Sequence, residues 1–268
     1  MTVRVEKSGR VTTVVHCRPE ARNAMDPASA DALVEAFLEF NADLGSDVAV
    51  LFGEGGAFCA GWDLKYGASL RGANAPLRSL DFPAGGGAPP RGPLGPTRLQ
   101  LDKPVIAAVA GPAVAGGMEL ALWCDLRVME EDAYLGVYCR RWGIPLLDGG
   151  TVRLPRLVGQ GRAMEIILTG RKVPAQECLR IGACERLVPV GTVRHEAEAL
   201  AHEIARFPQA CVRADRSSVY LQHGLSVRAA MEREWDNGIA VLQTEGVHGA
   251  GRFTHGAGRH GDFSKMDD

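Results

Sequence analysis

The stretch AGPAVAGGMELALWCD, residues 110–125, places one carboxylate, Glu119, directly after a glycine pair in an otherwise apolar run. A charge buried among such neighbours is costly unless something is done with it. A surface helix would carry more polar residues, so the run reads as a buried helix entered through a turn at Ala115-Gly116-Gly117. Glu119 then either pairs with a partner from elsewhere in the chain or faces a cavity where it works.

On either side of this run lie short apolar segments of strand type, PVIAAVAG at 104–111 and LRVMEE at 126–131, and further upstream VAVLFGE at 48–54. Residues 2–7 and 11–17 alternate β-branched and polar residues around Ser8-Gly9, the pattern of a hairpin. Asp26-Pro27 opens a helix that runs to about Leu44, with Asp26 as N-cap and Pro27 as first helical residue. Helices are expected after the strands at 48–54 and 104–111. Strands alternating with helices define an α/β fold with a largely buried sheet. From about residue 155 the texture becomes mostly helical, which suggests a helical extension packed on the core or on a neighbouring subunit.

Composition narrows the function. The 268 residues suffice for one domain, or for one domain plus an extension. A net charge of −2 gives no footprint for nucleic acid. No apolar run is long enough to span a membrane, and the N-terminus lacks a signal peptide's apolar core, so the cytoplasm is the default location. The seven cysteines form neither a CxxC pair nor a disulfide framework, and no metal site is expected.

Two segments read as loose. Residues 67–96 hold seven glycines and six prolines, a density at which no regular element is expected, as in a surface loop or a mobile lid. The tail GVHGAGRFTHGAGRHG, 246–261, contains GAGRHG, a match to GxGxxG. It follows no strand and opens no helix, so it is not a dinucleotide site.

The chemistry points to two turns. FCAGWDL, 58–64, follows the strand at 48–54, and AGGME, 115–119, follows the strand at 104–111. Each leads into a helix N-terminus, where backbone N–H groups are unpaired and the dipole is positive. Two such turns on adjacent strands can aim N–H groups at one point, which is how an oxyanion hole is built, with Glu119 beside it. The local pattern alone favours the plainer reading, in which the glycines serve only tight packing and Glu119 is a capping carboxylate.

Taken with RPEARNAM (18–25), KPVIAAVAGPAVAGGMELALWCDLRV (103–128) and GIPLLDGGTVRLPRLVG (143–159), these turns resemble the enoyl-CoA hydratase/isomerase (crotonase) superfamily, in order and at matching spacing, to about residue 220. The resemblance implies a crotonase-like spiral of ββα repeats. A core of residues 1–195 would hold an acyl-CoA site, and a helical C-terminal region with a Gly-rich tail, 196–268, would build a homotrimer or hexamer. It implies an acyl-CoA thioester as ligand and no cofactor beyond the coenzyme A of the substrate. The backbone N–H groups of Trp62 and Gly116 would form the oxyanion hole. Ala60, Gly61, Asp63, Leu64 and Gly117 would border the CoA and substrate cleft, and Glu119 would orient and deprotonate the water that adds at the β-carbon.

The sequence departs from the pattern at the second catalytic glutamate, where alignment on Gly143 and Gly149-Gly150-Thr151 places Cys139. A thiol is a poor substitute for a carboxyl that protonates the α-carbon. Asp148 lies where other branches carry a further carboxylate and is either the missing acid or a turn residue. Arg140 and Arg141 would pair with Asp148, with an acidic substrate group, or with structural partners. No histidine stands in a motif beside Cys139, which argues against a nucleophile. The leading expectation is hydration of a 2-enoyl-CoA to a 3-hydroxyacyl-CoA. Its competitors are another thioester-enolate reaction (isomerisation, decarboxylation or hydrolysis) and an acyl-CoA binder without catalysis.

Overall fold

The computed structural model describes residues 2–71 and 75–257. A six-stranded sheet runs in the order β1 (Val3–Ser8), β2 (Val11–His16), β3 (Val48–Gly53), β4 (Val105–Val109), β6 (Leu126–Glu130) and β9 (Arg186–Val188). Only the β1–β2 hairpin is antiparallel within it. A small second sheet joins β5 (Pro112–Val114), β7 (Tyr134–Gly136) and β8 (Lys172–Pro174).

The continuous apolar runs of β3 and β4 arise because both faces of the sheet are covered. Successive side chains alternate between faces. Val48, Val50, Ile106, Ala108 and Val128 meet Val193, Ala197, Leu200 and Ala201 of helix α8 (Val193–Ala205). Ala49, Leu51, Ala107 and Val109 point into the main core with Leu33, Phe37 and Phe40 of α1 (Pro27–Ala42) and Met118, Leu120 and Ala121 of α4 (Gly116–Trp123). Asp26 caps α1 as its sequence position requires, accepting the Ser29 N–H at 2.8 Å. A boundary between residues 195 and 196 falls inside α8, so the sheet's own covering layer extends through that helix.

Beyond the sheet the chain is helical: α5 (Gly150–Val158), α6 (Gln160–Thr169), α7 (Ala175–Ile181), α9 (Gln209–Leu221) and α10 (Val227–Val241). Two sequence expectations fail. The glycine- and proline-rich segment carries short helices, α2 (Leu64–Ser69), capped by Asp63, and α3 (Ala75–Arg78). Glycine and proline density excluded long elements but not single turns. The tail begins as a helix, α11 (Val247–Thr254), joined to α10 through one turn of π-helix, Leu242–Gly246. Gly246 has a helical φ of −64°, whereas Gly256, past the end of α11, has φ of +106°; the last part of GAGRHG lies outside the described residues. No helix among the described residues is long and apolar enough to cross a membrane.

Candidate active site

The two glycine turns meet. A Cβ built on Gly61 would lie 2.8 Å from the Ala115 Cβ and 3.1 Å from the Gly116 nitrogen, and Gly61 has φ of +93°. A Cβ on Gly117 would lie 2.0 Å from the Cys59 carbonyl oxygen. Only glycine lets these backbones approach so closely. Ala115, at the entry to α4, holds φ at +55°, an uncommon conformation for a residue with a side chain. Trp62 is fixed by its neighbours: the Met25 N–H donates to the Gly61 carbonyl at 2.7 Å and the Asp63 N–H to the Met25 carbonyl at 2.9 Å. The N–H groups of Trp62 and Gly116 have no acceptor among the described residues, as donors waiting for a ligand oxygen would.

Behind this arrangement sits a charge network. Arg18, from the RPEARNAM segment, pairs with Asp26 at 3.3 Å and Asp63 at 3.1 Å and donates to the Ala24 carbonyl. It thus ties together the N-caps of α1 and α2 on either side of Trp62. Burial works against the charge on Asp63, but Arg18 and the N–H groups of Lys65 and Tyr66 hold its carboxyl below the usual range. Arg18→Met is expected to lower kcat several-fold or more with a smaller change in KM, because it loosens the Trp62 donor more than the binding walls. An equal rise in KM with kcat intact would place Arg18 in ground-state binding instead.

Glu119 stands on the first turn of α4 and is 2% exposed. Its Oε1 accepts N–H bonds from Asp148 at 2.9 Å and Gly150 at 2.8 Å. The partner raised by the sequence is therefore the backbone at the start of α5, and the carboxyl also lines a cavity of about 290 Å³. Burial, then the nearby Asp148 charge, pushes Glu119 up to about 7, against the pull of those N–H bonds. Asp148, 3% exposed, accepts from the Leu94 N–H at 3.0 Å and from the Thr97 hydroxyl, and burial raises it as well.

Because folding raises the Glu119 value, the native state binds the proton more tightly than the unfolded chain does. Stability from this group is fully present below about 4.5 and is lost as pH rises through about 7. Unfolding free energy measured in urea should fall between pH 5 and 8. Glu119→Gln should flatten that slope, and identical slopes in both proteins would refute the assignment.

Ala60, Trp62, Leu64, Gly116, Glu119, Cys139 and Asp148 line this one cavity. Gly61, Asp63 and Gly117 do not; they shape and hold the turns behind it. Cys139 lies in the 3₁₀ turn Tyr138–Trp142, and burial together with the Glu119 charge raises its thiol, so it is poorly suited to attack as a thiolate. Neither expected arginine meets Asp148. Arg140 donates to the Ile167 carbonyl and Arg141 lies 3.8 Å over the Tyr138 ring. The arginine at Asp148 is Arg153, which donates to the Asp148 and Thr97 carbonyls at 2.9 and 2.8 Å. Sequence reading passed over Leu94, Thr97, Gly150 and Arg153. Their signal was the short spacing from Asp148 to Gly150 and Arg153, but Leu94 and Thr97 come from the segment read as loose.

This is the fold of solved enoyl-CoA hydratases. The enzyme of Mycobacterium tuberculosis H37Rv superposes with a TM-score of 0.84 at 34% identity over 95% of this chain and 96% of that one. The enoyl-CoA hydratase of Mycobacterium marinum matches at 0.84 and 32%, with the same coverage. The family model for enoyl-CoA hydratase/isomerase matches residues 6–249, and the chain belongs to that family. Relatives in sequence include a carnitinyl-CoA dehydratase of Proteus mirabilis, 38% identical over 199 residues, 74% of this chain and 72% of the relative. Another is a putative enoyl-CoA hydratase of Thermus thermophilus, 36% identical over 243 residues, 87% and 91% of the two chains. These relatives make the chain a hydratase-like lyase.

Proposed function

We propose that this protein adds water to a 2-enoyl-CoA, and removes it in reverse from a 3-hydroxyacyl-CoA. One observation carries the reading: a buried carboxyl raised to about 7, Glu119, shares a cavity with two unsatisfied backbone N–H groups. The thioester oxygen would accept from Trp62 and Gly116. Glu119, with Oε1 fixed by two N–H bonds, takes a proton from water, and the oxygen adds to the β-carbon. The electron pair moves to the thioester oxygen, where the two donors stabilise the enolate. The α-carbon then takes a proton. Cys139 stands where that acid is expected, but Asp148, raised by burial and placed next to Glu119, is the better donor. Water and proton chemistry on a conjugated thioester needs no cofactor beyond the coenzyme A of the substrate. The exposed Val219, Leu221, Met231 and Trp235 of α9 and α10 are suited to burial between copies in a homotrimer or hexamer.

The test is steady-state hydration of crotonyl-CoA and a longer 2-enoyl-CoA, followed by loss of the conjugated thioester absorbance. Turnover should rise with pH through about 7 as Glu119 ionises into its basic form. Thioester binding without turnover would overturn the reading in favour of another enolate reaction or a non-catalytic binder.

A further inference from the structure

The cavity wall carries one feature that hydration does not use. Arg91 lines it, and among the described residues it is the only cation to do so. Its surroundings there are largely apolar, including Pro27, Leu77, Leu80 and Leu94. The side chain is 18% exposed. Its Nε donates to Asp31 and its Nη1 to the Gly92 carbonyl at 3.1 Å. A guanidinium has five N–H donors, so three remain without an acceptor among the described residues. Asp31 is 67% exposed, and a pair with one partner in water is a weak one.

The position of Arg91 is built rather than incidental. Gly92 and Gly95 exchange backbone hydrogen bonds at 3.0 and 2.9 Å, closing the tight turn Gly92-Pro93-Leu94-Gly95. A Cβ on Gly92 would lie 2.1 Å from the Thr97 hydroxyl oxygen and 2.4 Å from Asp148 Oδ1. Leu94 donates its N–H to that same Asp148 oxygen and packs over Gly116. The turn that follows Arg91 is therefore hung on the acid beside Glu119, which fixes the cation relative to the reacting centre. Glu119 and Asp148 line the same cavity, but each is held by donors from the loops around it, N–H groups on Glu119 and an N–H and a hydroxyl on Asp148, which offsets part of their repulsion of an anionic ligand.

We propose that Arg91 receives an anionic group at the distal end of the acyl chain, so that the preferred ligands are CoA thioesters of dicarboxylic acids. The inference rests on the acyl-CoA reading of the cavity and adds the substrate class. A planar guanidinium with free donors binds carboxylate in two parallel hydrogen bonds, and the apolar walls strengthen the attraction.

Binding is measured by calorimetry with saturated thioesters, so that turnover does not enter. Glutaryl-CoA and adipyl-CoA are compared with pentanoyl-CoA and hexanoyl-CoA. The wild type should bind at least one dicarboxylic thioester about tenfold or more tightly than its neutral counterpart. Arg91→Leu should erase that preference while leaving the neutral thioesters nearly unaffected, and Arg91→Lys should keep part of it. Asp31→Asn should increase the preference by removing the competing carboxylate, and it keeps the test open should Arg91→Leu fail to fold. No preference in the wild type would overturn the proposal. So would an equal loss for both classes in Arg91→Leu, which would place Arg91 on the coenzyme or in loop support. A preference that persists in a protein unable to hydrate any 2-enoyl-CoA would support the subsite and sink the hydration reading separately.

Discussion

Glu119→Gln is expected to reduce hydration of a 2-enoyl-CoA by roughly 10²–10⁴-fold in kcat, the range that a positioned general base contributes. The amide is nearly isosteric with the carboxyl, and its oxygen can still accept the N–H bonds of Asp148 and Gly150 that seat the side chain at the start of α5. The variant should therefore fold and bind thioesters within a few-fold of the wild type. What it loses is the group that titrates near 7. Removing a raised buried acid should also leave the variant at least as stable as the wild type above pH 7, since the cost of ionising Glu119 in the folded state disappears. Steady-state kinetics and isothermal binding on the same preparations settle the point. Turnover within a few-fold of the wild type would mean that Asp148 or another group serves as base. Lost turnover together with lost binding would mean that Glu119 holds the cavity open rather than acting on water.

Gly117→Ala is expected to damage both stability and activity. The added Cβ would sit 2.0 Å from the Cys59 carbonyl oxygen, 2.7 Å from its carbon and 2.9 Å from its own Cβ. None of these is the end of a flexible side chain: two are backbone and the third is the root of a buried residue. The first turn of α4 must move away from the FCAGWDL turn. That motion separates Gly116 from Trp62 and carries Glu119 off its N–H partners. Overpacking of this kind costs about 1–3 kcal/mol and sometimes more. Chemical denaturation should register that loss, and activity should fall by more than the fraction of unfolded protein explains, because the turns carrying Trp62 and Gly116 no longer meet. A variant with wild-type stability and turnover would show that the two turns need not touch.

Much of the architecture was legible in the chain because its physics is local. The strand at 48–54 and the strand at 104–111 could be read from uninterrupted apolar residues, since a sheet covered on both faces needs no polar alternation. The cap at Asp26-Pro27 could be read because capping depends on residues three positions apart. Glu119 stood out for the same reason: a carboxylate without polar neighbours must have a use. The strands β5, β7, β8 and β9 were missed. Each is three residues long and is defined by pairing with distant partners rather than by its own pattern. The tail was misread because glycine costs a helix only about 1 kcal/mol per residue, which does not forbid a short helix that continues directly from the elements before it.

What the sequence determined by itself was the set of parts: an α/β chain, two glycine turns, one misplaced carboxylate, and a cysteine at the position to which the family resemblance assigns a second carboxyl. What only the tertiary structure decided was which parts meet. Glu119 does not cap its own helix: one of its oxygens is held by N–H groups 29 and 31 residues away, and the carboxyl lines the cavity. Asp148 could be read as a turn residue or as an acid, and the structure shows it buried and accepting from Leu94 and Thr97, more than 50 residues upstream. Burial and approach between distant segments set both the charge state of a carboxyl and the direction of a backbone N–H. Neither is a property of a residue and its neighbours in sequence, because the dielectric around a group and the partners within 3 Å of it exist only once the chain has closed on itself.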